Sequence, residues 1–130
     1  MFSRSIALRK CGVSVYQSTT RMATTAVSRA LIAGSERDNC LKEASSSGWQ
    51  VVNGRDAISK RFKFVNFEEA WEFMDTVAVY ADSVDHHPEW YNAYNIVDIT
   101  LSTHDAGGLS LMDFALAKHA DKNYIYNKNH

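Results

Sequence analysis

The sequence predicts an α+β domain with elements in the order α-β-β-α-β-β-α. Its four strands are expected to form one antiparallel sheet with the helices packed on one face, leaving the other face available to a partner. Three observations carry this. Asn53-Gly54 separates two β-like runs and is a strong hairpin signal. Phe67, Ala70, Trp71, Met74, Val77, Ala78 and Ala81 recur at helical spacing. Val97, Ile99 and Leu101 alternate with Asp98, Thr100 and Ser102, the period of a half-buried strand.

Ser35 opens the first helix, because Ser-Glu-Arg-Asp is a capping-box pattern with Asp38 reaching back. Gly48, after Ser45-Ser46-Ser47, suits a left-handed helix end. Trp49–Val52 reads as a strand, reversed by the two-residue Asn53-Gly54 turn. Ile58, Phe62 and Phe64 then share one face of the second strand. Asn66 caps the long helix, with Glu69 three residues on. That helix is expected to fail near Asp85, because the chain before Pro88 is pushed away from helical geometry. Residues 89–103 are too long for one strand. Asn95 divides them into strands near Trp90–Tyr94 and Ile96–Thr103. A loop with Gly107-Gly108 leads to a second capping box, Ser110 to Asp113, and a last helix through about Asn123. Residues 124–130 read as a loose C-terminal tail.

The chain has 130 residues, 45% hydrophobic and 22% charged, which is enough for one domain of ordinary composition plus a tail. Its net charge of −1 conceals an asymmetry. Residues 1–34 hold five basic residues and no acid, whereas residues 35–130 hold nine Lys/Arg against fifteen Asp/Glu. An acidic domain argues against direct nucleic-acid binding. The first 34 residues are also rich in Ser and Thr. That is the composition of a mitochondrial transit peptide, or of a disordered extension. A start at Met22 would omit most of it and leave the product in cytoplasm and nucleus. The folded domain is then expected over residues 35–123. No run approaches the ~18 apolar residues of a membrane span. Cys11 and Cys40 make no CxxC pattern and no disulfide framework, and Cys40 reads as a half-buried helix residue.

The groups with chemistry are His86, His87 and His104, with Asp82, Asp85, Asp105 and Asp113. His119 and His130, in the last helix and tail, are weaker candidates. "SVDHHPEWY" (83–91) places two imidazoles side by side before the only proline. Adjacent side chains diverge on strand and helix alike, so shared metal ligation by this pair is awkward. No HExxH motif is present. Histidine both gives and takes protons near neutral pH, so several imidazoles at one pocket suit acid–base chemistry. Pro88 would hold the pair still, and Trp90 and Tyr91 could wall a flat ligand. A plain reading stands beside this: Asp85-His86-His87-Pro88 as a polar helix-ending turn, and Asp113 as a capping residue. Ser83, Ser102 and Ser110 lie nearby without a nucleophile-elbow pattern.

The stretch "DHHPEWYNAYNIVDITLSTHDAGGLSLMDFALA" (85–117) closely resembles the pterin-4a-carbinolamine dehydratases, also called dimerisation cofactors of a homeodomain transcription factor. The resemblance extends back through "ERD" (36–38), "GW" (48–49), "GRDAI" (54–58) and "FKF" (62–64). It implies a lyase that dehydrates 4a-hydroxytetrahydrobiopterin to quinonoid dihydrobiopterin, in the recycling of tetrahydrobiopterin for aromatic amino-acid hydroxylases. It implies that no metal or cofactor is required. It implies that His86 and His104 form the acid–base pair, that His87 mainly binds and orients the pterin, and that Asp113 supports the histidine site. Pro88 and the segment Thr103, His104, Asp105 and Ala106 would line the substrate. Asp82, a supporting position, falls where many relatives have Glu. The family also implies a homotetramer, a dimer of dimers, and in animals some members bind a transcription factor.

Overall fold

A computed structural model describes residues 27–128. The transit-peptide reading, Met22, Cys11 and His130 concern residues outside that range. Helix α1 (Gly34–Ser46) precedes strands β1 (Gln50–Val51) and β2 (Ile58–Lys63). Helix α2 (Phe67–Ser83), strands β3 (Glu89–Ala93) and β4 (Ile96–Leu101), a 3-10 turn (His104–Ala106) and helix α3 (Leu111–Lys128) follow. The expected element order is therefore present. The sheet order is β1-β2-β4-β3 with every pairing antiparallel, so β4 is central and β3 an edge.

Registers Ile58↔Leu101, Lys60↔Ile99 and Phe62↔Val97 put these side chains on one face, under the helices. All but Lys60 are buried. The opposite face carries Arg61, paired across strands with Asp98 at 2.7 Å, and exposed Tyr91. Lys60 lies along the core face and escapes at its margin. Its Nζ reaches Asp121 Oδ1 and the Ser47 carbonyl, both at 2.6 Å, tying α1 to α3. Phe62, Phe64, Phe73 and Tyr124 form one aromatic cluster, with Phe62 and Phe73 centroids 4.8 Å apart. Full burial of a Phe side chain such as Phe73 contributes about 2–3 kcal/mol.

Several local expectations are corrected. The first hairpin is not a two-residue turn. Val52 N–H donates to the Ala57 carbonyl, leaving residues 53–56 as the loop. A two-residue type I′ turn needs positive φ at both centres, and here only Gly54 has it (φ 81). β1 is correspondingly short, and Trp49 leaves the strand to enter the core. Ser35 does not cap α1; the cap position is Ala33, and no side chain serves it. Cys40 is fully buried rather than half-buried. The buried stripe of α2 is Ala70, Phe73, Val77 and Ala81. Phe67 and Trp71, expected on it, are 46% and 55% exposed and stack on each other. Finally, α3 continues past Asn123 through residues read as a loose tail. Tyr124 explains this: it packs on Phe62 and Phe64 and donates its hydroxyl to the Lys63 carbonyl.

Asp56 anchors the first hairpin loop to the glycine loop. It accepts from Arg37 at 2.6 Å and from Leu109 N–H at 3.0 Å. A Cβ added at Gly108 would overlap Asp56 Oδ2 and stand 2.9 Å from Leu31 Cδ1. Gly108→Ala is expected to destabilise by about 1–3 kcal/mol through overpacking, measured by chemical denaturation.

Three carboxylates titrate low for the same reason. The hydrogen bond from Arg37 holds Asp56 below its usual range, Arg61 does so for Asp98, and Arg55 for Glu89. A depressed folded-state pKa contributes stability above the unfolded value, about 4, and loses it as pH falls through the folded one. The melting temperature should hold from pH 7 to about 5 and fall below about 4. Asp56→Asn should fall less steeply; an equally steep fall would refute Asp56 as a contributor.

Candidate active site

The site starts from how α2 ends. Val84 is its C-cap, and Asp85 takes a left-handed conformation (φ 53). Asp85 N–H donates to the Asp82 carbonyl and His86 N–H to the Ala81 carbonyl, the paired bonds of a Schellman motif. The reversal thus begins at Asp85, before Pro88 constrains the chain. It turns the His86 side chain inward and leaves His87 outside. His86 is 6% exposed and His87 60%.

His86 Nε2 lies 2.7 Å from Asp113 Oδ1. Asp113 is fully buried in the first turn of α3. Its Oδ2 accepts from Thr103 Oγ1 at 2.7 Å and from Ser110 N–H at 2.9 Å. Ser110 Oγ accepts from Met112 N–H at 3.2 Å and lies 2.6 Å from Thr103 Oγ1. Thr103 uses its proton on Asp113, so the Ser110 hydroxyl donates to Thr103. With donors converging on it, the carboxylate acts as an acceptor. The consistent assignment puts a His86 proton on Nε2, facing the carboxylate. Asp113 therefore makes the capping-box contact and holds the histidine with the same carboxyl group.

His87 and His104 are open to solvent. His87 Nε2 is 3.7 Å from Asp82 Oδ1. His104, 71% exposed, opens the 3-10 turn, and its Nε2 is 3.9 Å from Glu89 Oε2. Glu89 starts β3 opposite Thr100, near the end of β4, so the three histidines belong to one end of the sheet. Thr103, buried with its hydroxyl committed to Ser110 and Asp113, links His104 to the His86 pair. Asp105 is exposed and Ala106 half-buried in the same turn; Pro88 is half-buried between His87 and β3. Sequence reasoning missed the rim charges: Arg55 holds Glu89 at 2.8 and 2.9 Å. The only local signal was Arg55 beside a turn and Glu89 beside Pro88. Among the described residues no group of three or more His, Cys, Asp or Glu is placed to hold a metal ion. No described helix is long and apolar enough to cross a membrane. A cleft of about 260 Å³ between α1 and α3, bordered by Cys40, Trp49 and Phe114, includes none of the candidate histidines.

By class, this is an α+β domain with a buried histidine–carboxylate pair beside two exposed imidazoles, an arrangement suited to moving protons. The sequence model of the Pterin 4 alpha carbinolamine dehydratase family matches residues 30–123, and the chain belongs to that family. It is 50% identical over 86 residues to a pterin-4-alpha-carbinolamine dehydratase of Drosophila melanogaster, covering 66% of this chain and 45% of the fly protein. It is 51% identical over 87 residues to a candidate dehydratase of Dinoroseobacter shibae, covering 67% of this chain and 90% of that one. A crystal structure described as a transcriptional coactivator/pterin dehydratase from Brucella melitensis superposes with a TM-score of 0.66 at 43% identity, over 71% of this chain and 96% of its own. A pterin dehydratase-like RuBisCO assembly factor of the alpha-carboxysome shares the fold at 23% identity and a TM-score of 0.52, over 59% and 89% of the two chains.

Proposed function

We propose that the chain dehydrates 4a-hydroxytetrahydrobiopterin to quinonoid dihydrobiopterin and water, serving tetrahydrobiopterin recycling for aromatic amino-acid hydroxylases. The observation that carries this is the oriented His86–Asp113 pair at the same end of the sheet as exposed His87 and His104. The reaction breaks the C4a–O bond and removes the N5 proton. An imidazolium protonates the departing hydroxyl, which leaves as water; a neutral imidazole accepts the N5 proton, and the N5 electrons close the C4a=N5 double bond. His104 and His86 are assigned this pair of roles. His87 binds and orients the pterin, with Pro88, Asp105 and Ala106 along the rim. Asp113 holds a His86 proton on Nε2. The purified full chain should accelerate decay of 4a-hydroxytetrahydrobiopterin generated by a hydroxylase. A decay rate equal to that in buffer would overturn the assignment.

A homotetramer is part of the proposal. Phe67, Trp71 and Val79 are exposed on α2, and β3 is a sheet edge, so helix and edge both offer surface to copies of the chain. Light scattering should give four chains; a monomer contradicts it. The second reading, a non-catalytic dimerisation cofactor that binds a homeodomain transcription factor, draws on the coactivator half of the Brucella relative's description. Stoichiometric partner capture without turnover would select it. Mitochondrial targeting by the basic N-terminal residues is likewise proposed. Imaging full-length and Met22-started forms separates it from cytoplasm and nucleus.

A further inference from the structure

Residues 27–33 fall within the stretch whose composition reads as an extension, yet they touch the histidine site from two sides. Leu31 forms an antiparallel bridge with Ser110, and Ile32 N–H donates to the Leu109 carbonyl at 2.9 Å. Ile32 is buried. The segment is thereby fixed along Ser110, whose own N–H binds Asp113. Three residues before Ile32, Arg29 crosses to the other side. Its Nη2 donates to the Val84 carbonyl at 2.7 Å and to the Asp85 carbonyl at 2.9 Å.

Those two carbonyls belong to the C-cap of α2 and to the residue that follows it. Helix-terminal carbonyls lack intrahelical partners, and a cation there also complements the helix dipole. The Asp85 carbonyl matters most, because it belongs to the peptide bond that joins Asp85 to His86. The N–H of that same peptide donates to Ala81. Arg29 therefore completes the fixing of one peptide plane at both polar atoms, directly before the buried imidazole. The plane needs support, since Asp85 is a non-glycine residue in left-handed geometry. An exposed arginine facing a carboxylate contributes little. Here the acceptors are two adjacent carbonyls at a helix end, and charge-assisted bonds to them also carry direction.

We propose that Arg29 is a positioning residue for the histidine site, holding the Asp85–His86 peptide so that His86 stays on Asp113 and His87 is presented outward. The functional unit then begins with the 27–33 strap, ahead of α1. The kinetic arm of the test rests on the proposed dehydratase activity; the spectroscopic arm does not.

The experiment compares full-length wild type, Arg29→Ala and Arg29→Lys by imidazole nitrogen–proton spectra, melting temperature and steady-state dehydration. The His86 signal is assigned by its loss in His86→Gln. Arg29→Ala should displace the His86 signal and lower kcat ~10-fold or more, with KM changing less, while the protein remains folded at assay temperature. Arg29→Lys, which keeps a charged donor, should recover most of the lost turnover and return the signal toward wild type. An unchanged His86 signal in folded Arg29→Ala overturns the proposal, and so does lost turnover that only tracks the unfolded fraction. If wild type shows no turnover, the dehydratase reading fails, and the displaced or unmoved His86 signal still decides the role of Arg29.

Discussion

Asp113→Ala is expected to lower stability by about 3–5 kcal/mol and to abolish dehydration. The magnitude follows from what the carboxylate holds. It is fully buried and accepts from His86, Thr103 and Ser110 N–H. Truncation to a methyl group strands those donors away from water, and each unsatisfied group costs about 1–3 kcal/mol. Asp113→Asn separates the two roles. It preserves shape, so the fold should survive with a smaller loss, but its NH2 must face either His86 or the Thr103–Ser110 pair. Facing His86, it forces the imidazole to accept at Nε2 and moves its proton to Nδ1. Turnover should then fall about 10²-fold or more. Denaturant unfolding and kcat measured on both variants check this. Wild-type stability in Asp113→Ala would show that the network does not hold the domain together.

His104→Ala is the opposite kind of change. The side chain is 71% exposed and its nearest charged partner, Glu89, is already held by Arg55. Stability should stay within about 0.5 kcal/mol of wild type, as for surface positions outside special contacts. Turnover should nevertheless fall by ~10²–10⁴, the usual contribution of a positioned general acid or base. Steady-state rates and melting curves on one preparation separate the effects. A variant that melts like wild type and turns over like it would remove His104 from the chemistry.

The elements were legible where one local force dominates. Asn66 caps α2 as its spacing predicts, accepting from Glu69 N–H at 2.9 Å. Val97, Ile99 and Leu101 are buried as their alternation requires. Local signals failed where distant contacts outweigh them. Asn53-Gly54 did not close a two-residue turn, and the following Asp56 is bound to Arg37 and Leu109. Residues 124–128 read as a loose tail in sequence, yet Tyr124 is drawn into the aromatic cluster on the helix-covered face of the sheet. The site divides similarly. His86, His87, His104 and Asp113 were all visible as residues, but the His86–Asp113 contact spans 27 positions and no periodicity encodes it. Asp113 read as either a cap or a partner of histidine, and one carboxyl group makes both contacts. Arg29 was invisible because composition assigned it to an extension, whereas its partners are backbone carbonyls that carry no residue signature.

The central claim, that these imidazoles dehydrate a 4a-hydroxypterin, is tested most directly by one rate comparison. 4a-Hydroxytetrahydrobiopterin is generated in place by an aromatic amino-acid hydroxylase, and its disappearance is followed with buffer, with the full chain, and with the folded His86→Ala/His87→Ala/His104→Ala variant. The account predicts rapid decay with the wild-type chain and decay at the buffer rate with the triple variant. A triple variant as fast as wild type would contradict it.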